Sequence, residues 1–181
     1  MNTYVALLRA INVGGANKIL MADLKALFTT LNFSNPTTYI QSGNVVFSTA
    51  SGDISNIEIK IRSKILEVFN YNIEVLVFSK NSFREIYESN IFLRDRSLDT
   101  KKMYVIFLKD YVDLKKFNLI KNNPNFQEKM VLLNKTIYMY YSNGAGRTKL
   151  TNNYFENKLN VIATSRNWRT VENMKSLLDQ I

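Results

Sequence analysis

The sequence predicts an α+β fold, a tandem pair of ferredoxin-like β-α-β-β-α-β halves packed into one body, divided as residues 1–95 and 96–181. Three observations carry this reading. Short apolar segments of strand character alternate with apolar stripes at helical spacing. The same order of elements runs through the chain twice. The 181 residues suit two halves of about 90 residues each and can bury roughly 70% of the unfolded surface without a metal or disulfide.

In the first half, residues 3–9 form a strand with apolar side chains on both faces: Tyr4, Ala6 and Leu8 against Val5 and Leu7. A polar glycine loop, Asn12-Val13-Gly14-Gly15-Ala16-Asn17-Lys18, follows. Met21, Leu24, Leu27, Phe28 and Leu31 then recur at helical spacing. Residues 37–41 and 45–49 are strands around the turn Ser42-Gly43-Asn44. Asp53 and Ser55 are caps for a long helix striped by Ile57, Ile61, Ile65 and Val68. Residues 73–78 are the fourth strand, and a short helix with Phe83, Ile86 and Tyr87 on one face ends the half.

The second half repeats the order without quotable sequence identity. Residues 102–108 are a strand, and residues 112–120 a helix with Leu114 and Phe117 inward. Residues 128–133 and 136–141 form a hairpin about Asn134-Lys135. The glycine loop Asn143-Gly144-Ala145-Gly146 leads to a helix near residues 153–159, where Asn153 and Glu156 have capping-box spacing. A weaker strand covers residues 161–164, and Val171, Met174, Leu178 and Ile181 stripe the last helix, with Asn167 as its cap and Trp168 as a core anchor. One helical layer covers one face of such a sheet. The strands at 3–9 and 103–108 are apolar on both faces, so the second faces require cover from the other half or another subunit.

Composition removes much chemistry. The chain has no Cys and no His, which excludes disulfides, thiolate nucleophiles, imidazole bases and the usual zinc sites. No run of about 18 apolar residues is present, and the N-terminus lacks a basic region ahead of its apolar stretch, so a cytoplasmic protein without membrane attachment is expected. The net charge is +9, unevenly spread. Residues 1–95 carry 9 basic and 8 acidic side chains, and residues 96–181 carry 15 and 7, so the halves differ as +1 and +8. A basic half suits either a solvated lysine-rich surface or an anionic partner.

The fold predicts where polar loops converge. In each half the loop after the first strand and the turn between the second and third share one sheet edge. In the first half this gathers Arg9, Asn12, Gly14, Gly15, Gln41, Ser42 and Asn44, with Lys18 nearby. In the second half the third and fourth strands are parallel, so residues 144–149 and 165–169 leave one edge together, gathering Arg147, Lys149, Arg166, Asn167 and Arg169. Glycine turns and helix starts backed by Arg and Lys can form an anion site. Neither loop is a Walker or dinucleotide motif. Glycines also serve turns and Asn caps helices, whereas neither role calls for the arginines. A separate reading places Tyr104, Tyr138 and Tyr140 on a sheet face that stacks single-stranded bases, although no RNA-recognition motif is present.

These residues also carry a family resemblance. Leu7-Leu8-Arg9-Ala10-Ile11-Asn12-Val13-Gly14-Gly15, Met21-Ala22-Asp23-Leu24 and Tyr39-Ile40-Gln41-Ser42-Gly43-Asn44-Val45-Val46-Phe47 resemble the opening of the bacterial domain-of-unknown-function 1697 family. Gly146-Arg147-Thr148-Lys149-Leu150 and Ala163-Thr164-Ser165-Arg166-Asn167-Trp168-Arg169-Thr170-Val171 extend the resemblance across essentially the whole chain. It implies a small cytoplasmic protein with two ferredoxin-like halves, and no established activity. Ala10 stands where the family usually has Gly, Ser165 where Thr is common, and Arg169 where Asn is common.

The functional expectation is a binding domain for a small anionic, phosphorylated or nucleotide-like ligand held by Arg and glycine-rich loops, with no cofactor and no metal. Nucleic-acid binding through the basic half is the first alternative. An enzyme working without His or Cys is the second; it would need a carboxylate or lysine base, and the nearest carboxylates in sequence, Asp23 and Glu156, lie outside both clusters.

Overall fold

In the computed structural model, which describes residues 1–181, each half builds the sheet that its element order predicts. The first half runs β1 (Asn2–Leu8), α1 (Met21–Thr30), β2 (Ser34–Tyr39), β3 (Asn44–Thr49), α2 (Ile54–Phe69), β4 (Val75–Ser79) and α3 (Lys80–Glu88). Its sheet order is β2-β3-β1-β4 with antiparallel neighbours, so β3 is inserted between the parallel strands of a split β-α-β unit. The second half runs β5 (Met103–Leu108), α4 (Leu114–Lys121), β6 (Lys129–Leu133), β7 (Thr136–Tyr140), α5 (Asn152–Leu159), β8 (Ala163–Asn167) and α6 (Trp168–Gln180). Its order, β6-β7-β5-β8, is the same arrangement. The compact units are Met1–Tyr87 with Glu172–Ile181, and Glu88–Val171.

Alternation along the strands sorts the cores. In the first unit Tyr4, Ala6, Leu8 and Phe47 meet Leu24 and Phe28 of α1 and Ile57, Ile61 and Ile65 of α2. Phe33 stacks on Phe47 at 4.7 Å, and Phe28 meets Phe47 edge-on at 5.1 Å. Val5, Leu7 and Val46 alternate to the other face and are equally buried. There α3 brings Phe83 against Phe78 at 6.4 Å. In the second unit Ile106, Leu108, Ile137 and Met139 pack on Phe117, Ile120 and Phe155. Val105, Phe107 and Tyr138 are buried on the reverse face, where Phe92 meets Tyr140 at 6.3 Å. Each buried Val, Leu, Ile, Met or Phe among them contributes about 1.5–3 kcal/mol by leaving water.

Helix ends use the same devices in both units. Asp53 accepts the Asn56 N–H at 3.1 Å to start α2, and Thr151 accepts the Tyr154 N–H at 3.3 Å to start α5. Asn70 and Asn160 end these helices in the left-handed conformation, with φ of 56° and 54°. The expected Asn153–Glu156 capping box does not form, because the helix starts earlier, at Thr151. Glu156 is instead spent on the sheet: its Oε1 accepts the Ala163 N–H on edge strand β8 at 2.9 Å. Glu58 of α2 accepts the Val77 N–H on edge strand β4 at the same 2.9 Å.

Four element expectations need correction. Val68 is 52% and Leu114 64% exposed: Val68 shares the stripe of Ile57, Ile61 and Ile65 but lies in the last turn of α2, and Leu114 is the first residue of α4. Strand β2 ends at Tyr39, because Ile40 takes φ +46° and turns the chain. The weak strand begins at Ala163 and runs through Asn167 straight into α6. Arg166 is therefore a strand residue, hidden from hydropathy by its neighbours Thr164, Ser165 and Asn167. The tyrosine face is also absent. Tyr138 and Tyr140 are 1% and 8% exposed. Tyr104 pairs with Met139 while Tyr138 pairs with Val105, so Tyr104 and Tyr138 point to opposite faces.

Burial makes Tyr138 and Tyr141 sensitive to alkali. Desolvation pushes the Tyr138 phenol up from 10 to about 12, opposed by a hydrogen bond with Ser89. Burial also raises Tyr141, helped by the charges of Glu128 and Tyr104. The unfolded chain loses these protons near pH 10 and the native state holds them higher. Stability is therefore intact below pH 10 and falls as the pH rises from 10 towards about 12, by up to about 1.4 kcal/mol per pH unit for each tyrosine. Urea titrations across this window should show a shallower decline in Tyr138→Phe than in wild type; equal slopes would contradict the assignment.

Candidate ligand-binding cleft

The first predicted cluster assembles, but as a backbone knot. The loop leaving β1 and the β2–β3 turn meet as topology requires. The Asn12 side-chain amide donates to the carbonyls of Ile19 at 2.9 Å and Gln41 at 2.8 Å, and its Oδ1 accepts the Ile19 N–H at 2.9 Å. Both of its donors are thereby consumed. Asn44, fully buried, donates to the Tyr39 carbonyl at 3.1 Å and the Ser42 hydroxyl at 2.9 Å. The Leu8 N–H donates to the Gly43 carbonyl, and the Arg9 N–H to that of Glu74, each at 2.8 Å. Gly14 and Gly15 lie exposed on the loop, and Gln41 is exposed at the turn.

Gly43 sets this geometry. It sits at φ +71°, and a Cβ there would lie 2.7 Å from Leu8 Cβ and 2.9 Å from Ile11 Cδ1. Ala10 occupies the left-handed region too, at φ +56°, where an L side chain costs about 1–2 kcal/mol.

The second cluster divides. Residues 144–149 leave β7 beside the start of β6, because Lys129 pairs with Tyr140. A cleft of about 430 Å³ opens there, walled by residues 124–128 on one side and by Asn143, Gly144, Arg147, Thr148 and Lys149 on the other. Gly144 holds φ 81° with ψ 147°, a combination open essentially to glycine alone. It starts the 3-10 turn Ala145–Arg147 that presents Arg147, and Arg147 and Lys149 are both exposed. Between them, Thr148 donates its hydroxyl to Glu128 Oε1 at 2.6 Å and accepts the Leu150 N–H at 3.0 Å. Phe126 lines the opposite wall, its ring braced edge-on by Tyr154 at 5.5 Å.

The other arginines stay out of this cleft. Strand β8 lies at the far side of the sheet from β6. Arg166 is 8% exposed, and its Nη1 donates to Thr164 Oγ1 and the Ser165 carbonyl, both at 2.8 Å. Burial pushes its guanidinium down to about 10. Asn167 caps α6 by accepting the Thr170 N–H at 2.8 Å, and Trp168 is fully buried. Arg169 is exposed in the first turn of α6.

The sequence reading missed Phe126, Gln127 and Glu128, and with Glu128 the cleft's carboxylate. The signal was present: in a hairpin the entry to one strand lies beside the exit of its partner, so residues 124–128 must flank residues 143–149. No group of three or more His, Cys, Asp or Glu is arranged to hold a metal. No helix is long and apolar enough to cross a membrane.

The sequence profile described as "Protein of unknown function (DUF1697)" matches residues 1–138. The chain belongs to the DUF1697 family. The match takes in the knot motifs and stops short of the Gly146–Leu150 segment and the β8–α6 junction. No curated protein matches the chain. A solved structure described as a conserved bacterial protein from Streptococcus pneumoniae matches with a TM-score of 0.77 at 21% identity, covering 98% of each chain. At that identity the likeness establishes the shared α+β fold of this DUF1697 chain.

Two stability outcomes separate knot and cap from cleft. Gly43→Ala should destabilise by about 3 kcal/mol, combining left-handed strain with overpacking, whereas Ala10→Gly should stabilise by about 0.5–1 kcal/mol; chemical denaturation reads both, and a neutral Gly43→Ala would refute the close approach. Likewise Asn167→Ala should cost about 1 kcal/mol as a lost cap, while Arg147→Ala should leave the midpoint within about 0.5 kcal/mol.

Proposed function

We propose that this protein binds a small phosphorylated molecule in the cleft between residues 124–128 and 143–149. The observation that carries the reading is the pair of exposed cations, Arg147 and Lys149, on one wall of a cleft of about 430 Å³. That volume lies within the range of small-molecule sites. Arg offers a planar fork of donors and Lys a point charge, a combination suited to phosphate oxygens. The charged groups on the walls are Glu128, Arg147 and Lys149, so +1. The surrounding half carries +8, counted above, which adds long-range attraction for an anion.

The reading is one of binding. The cleft has no His, Cys or metal cluster, and its one carboxylate already accepts hydrogen bonds. The cluster in the first unit does not enter the proposal, because Asn12 and Asn44 spend their amides on the fold.

A thermal-shift panel of phosphosugars, nucleotides and inorganic pyrophosphate tests it. At 100 times Kd a ligand adds about 2.7 kcal/mol, worth several degrees at this chain length. Phosphorylated compounds should raise the wild-type midpoint, and Arg147→Ala with Lys149→Ala should abolish the shift while leaving the unliganded midpoint in place. No shift in wild type with any phosphorylated compound would overturn the proposal.

A further inference from the structure

A carboxylate is an awkward neighbour for a phosphate, yet Glu128 is firmly held in the same cleft. Its Oε1 accepts the Thr148 hydroxyl at 2.6 Å and its Oε2 accepts the Gln127 N–H at 3.1 Å. Thr148 stands between Arg147 and Lys149 in sequence, so this bond couples the carboxylate to the segment that bears the two cations. An ionised carboxylate offers about four acceptor directions. Two are used by these contacts, one on each oxygen, so each oxygen of this cleft-lining residue keeps acceptor capacity.

The wall around it is chemically mixed. Phe126 lines the cleft as a half-buried aromatic side chain packed against the second unit's core, its ring held by an edge-on contact with Tyr154 at 5.5 Å. Asn143 donates to Gln127 Oε1 at 3.4 Å, a bridge linking the two walls. A plain anion such as inorganic phosphate would meet repulsion from Glu128 and gain nothing from Phe126. A molecule that uses every part has an anionic end for Arg147 and Lys149, adjacent hydroxyl donors for Glu128, and a flat ring for Phe126.

We infer that the cleft is selective for ribonucleoside 5′-phosphates, with Glu128 accepting hydrogen bonds from the ribose hydroxyls. This rests on the phosphate-binding reading above and adds the substrate class. Hydrogen bonds to a charged acceptor are among the stronger ones, and losing one costs about tenfold in affinity or more. Glu128 is thus the specificity-determining residue and the cations the affinity-determining ones.

The test is calorimetric titration of the full chain with the four ribonucleoside 5′-monophosphates, their 2′-deoxy forms and inorganic pyrophosphate. Wild type should bind at least one ribonucleotide about tenfold tighter than its deoxy form. Glu128→Gln should shrink that ratio towards one and tighten pyrophosphate binding, since a negative charge leaves the cleft. Equal affinity for ribo and deoxy forms in wild type would overturn the inference while leaving phosphate binding standing. Binding of neither nucleotides nor pyrophosphate would overturn the inference together with the reading beneath it. The wild-type comparison needs no variant, so a failure of Glu128→Gln to fold would not blunt the test.

Discussion

The structure depends on one constraint: the central strands β1 and β5 are buried on both faces. Residues 4–8 and 105–108 are at most 3% exposed. A strand in that position has no wet side, so its backbone groups must pair in the ladder and its side chains must be apolar. Both requirements are met by flanking each central strand with two antiparallel neighbours, β3 and β4 in one case and β7 and β8 in the other. Polar chemistry is thereby expelled to the loops at the sheet edges. Arg166, which remains inside, has its guanidinium bonded to Thr164 and Ser165 of its own strand.

The expelled loops carry two different burdens. In the first unit the shared edge is consumed in holding itself: Gly43 lets β1 approach, and Asn12 ties three stretches of backbone together. In the second unit the equivalent edge holds itself too, the Leu108 N–H donating to the Lys135 carbonyl and the Lys109 N–H to that of Ile162, each at 2.9 Å; the cleft lies at the opposite end of the sheet, where the loop after β7 turns on Gly144. Side chains that are not needed for the fold, Arg147 and Lys149, are left facing a cleft. Similar motifs in sequence therefore acquire different meanings from the contacts around them. Left-handed corners are supplied mostly by asparagine, at Asn12, Asn17, Asn32, Asn35, Asn70, Asn134 and Asn160, in a chain with only 6 glycines. The short polar side chain tolerates this backbone and bonds locally.

Much of this was legible in the sequence. Period-two and helical patterns define the element order, and the order implies the strand arrangement, including which loops share an edge. What stayed hidden has physical causes. Strand β8 reads Ala-Thr-Ser-Arg-Asn, with hydropathy too low to mark a buried strand, so Arg166 passed for a loop residue. Glu156 has the spacing of a cap and serves the sheet. Tyr138 and Tyr140 have strand propensity, which does not distinguish an open face from a buried one. Phe126 and Glu128 lie in an irregular segment without period, and only the hairpin register places them in the cleft. The cations were readable because neither a cap nor a turn explains an arginine.

The carboxylates of Glu58 and Glu156 have a consequence for association. Edge strands offer free amides to any passing extended chain, which is how sheets recruit peptides and how aggregates grow. At β4 and β8 an outward amide is already occupied, and a negative charge hangs over the rim. A strand arriving there would have to displace an intramolecular acceptor and then lie against its charge. The same gatekeeper, placed by the corresponding helix of each repeat, guards the β4 and β8 rims, whereas β2 carries Pro36 and a break in register on its own rim.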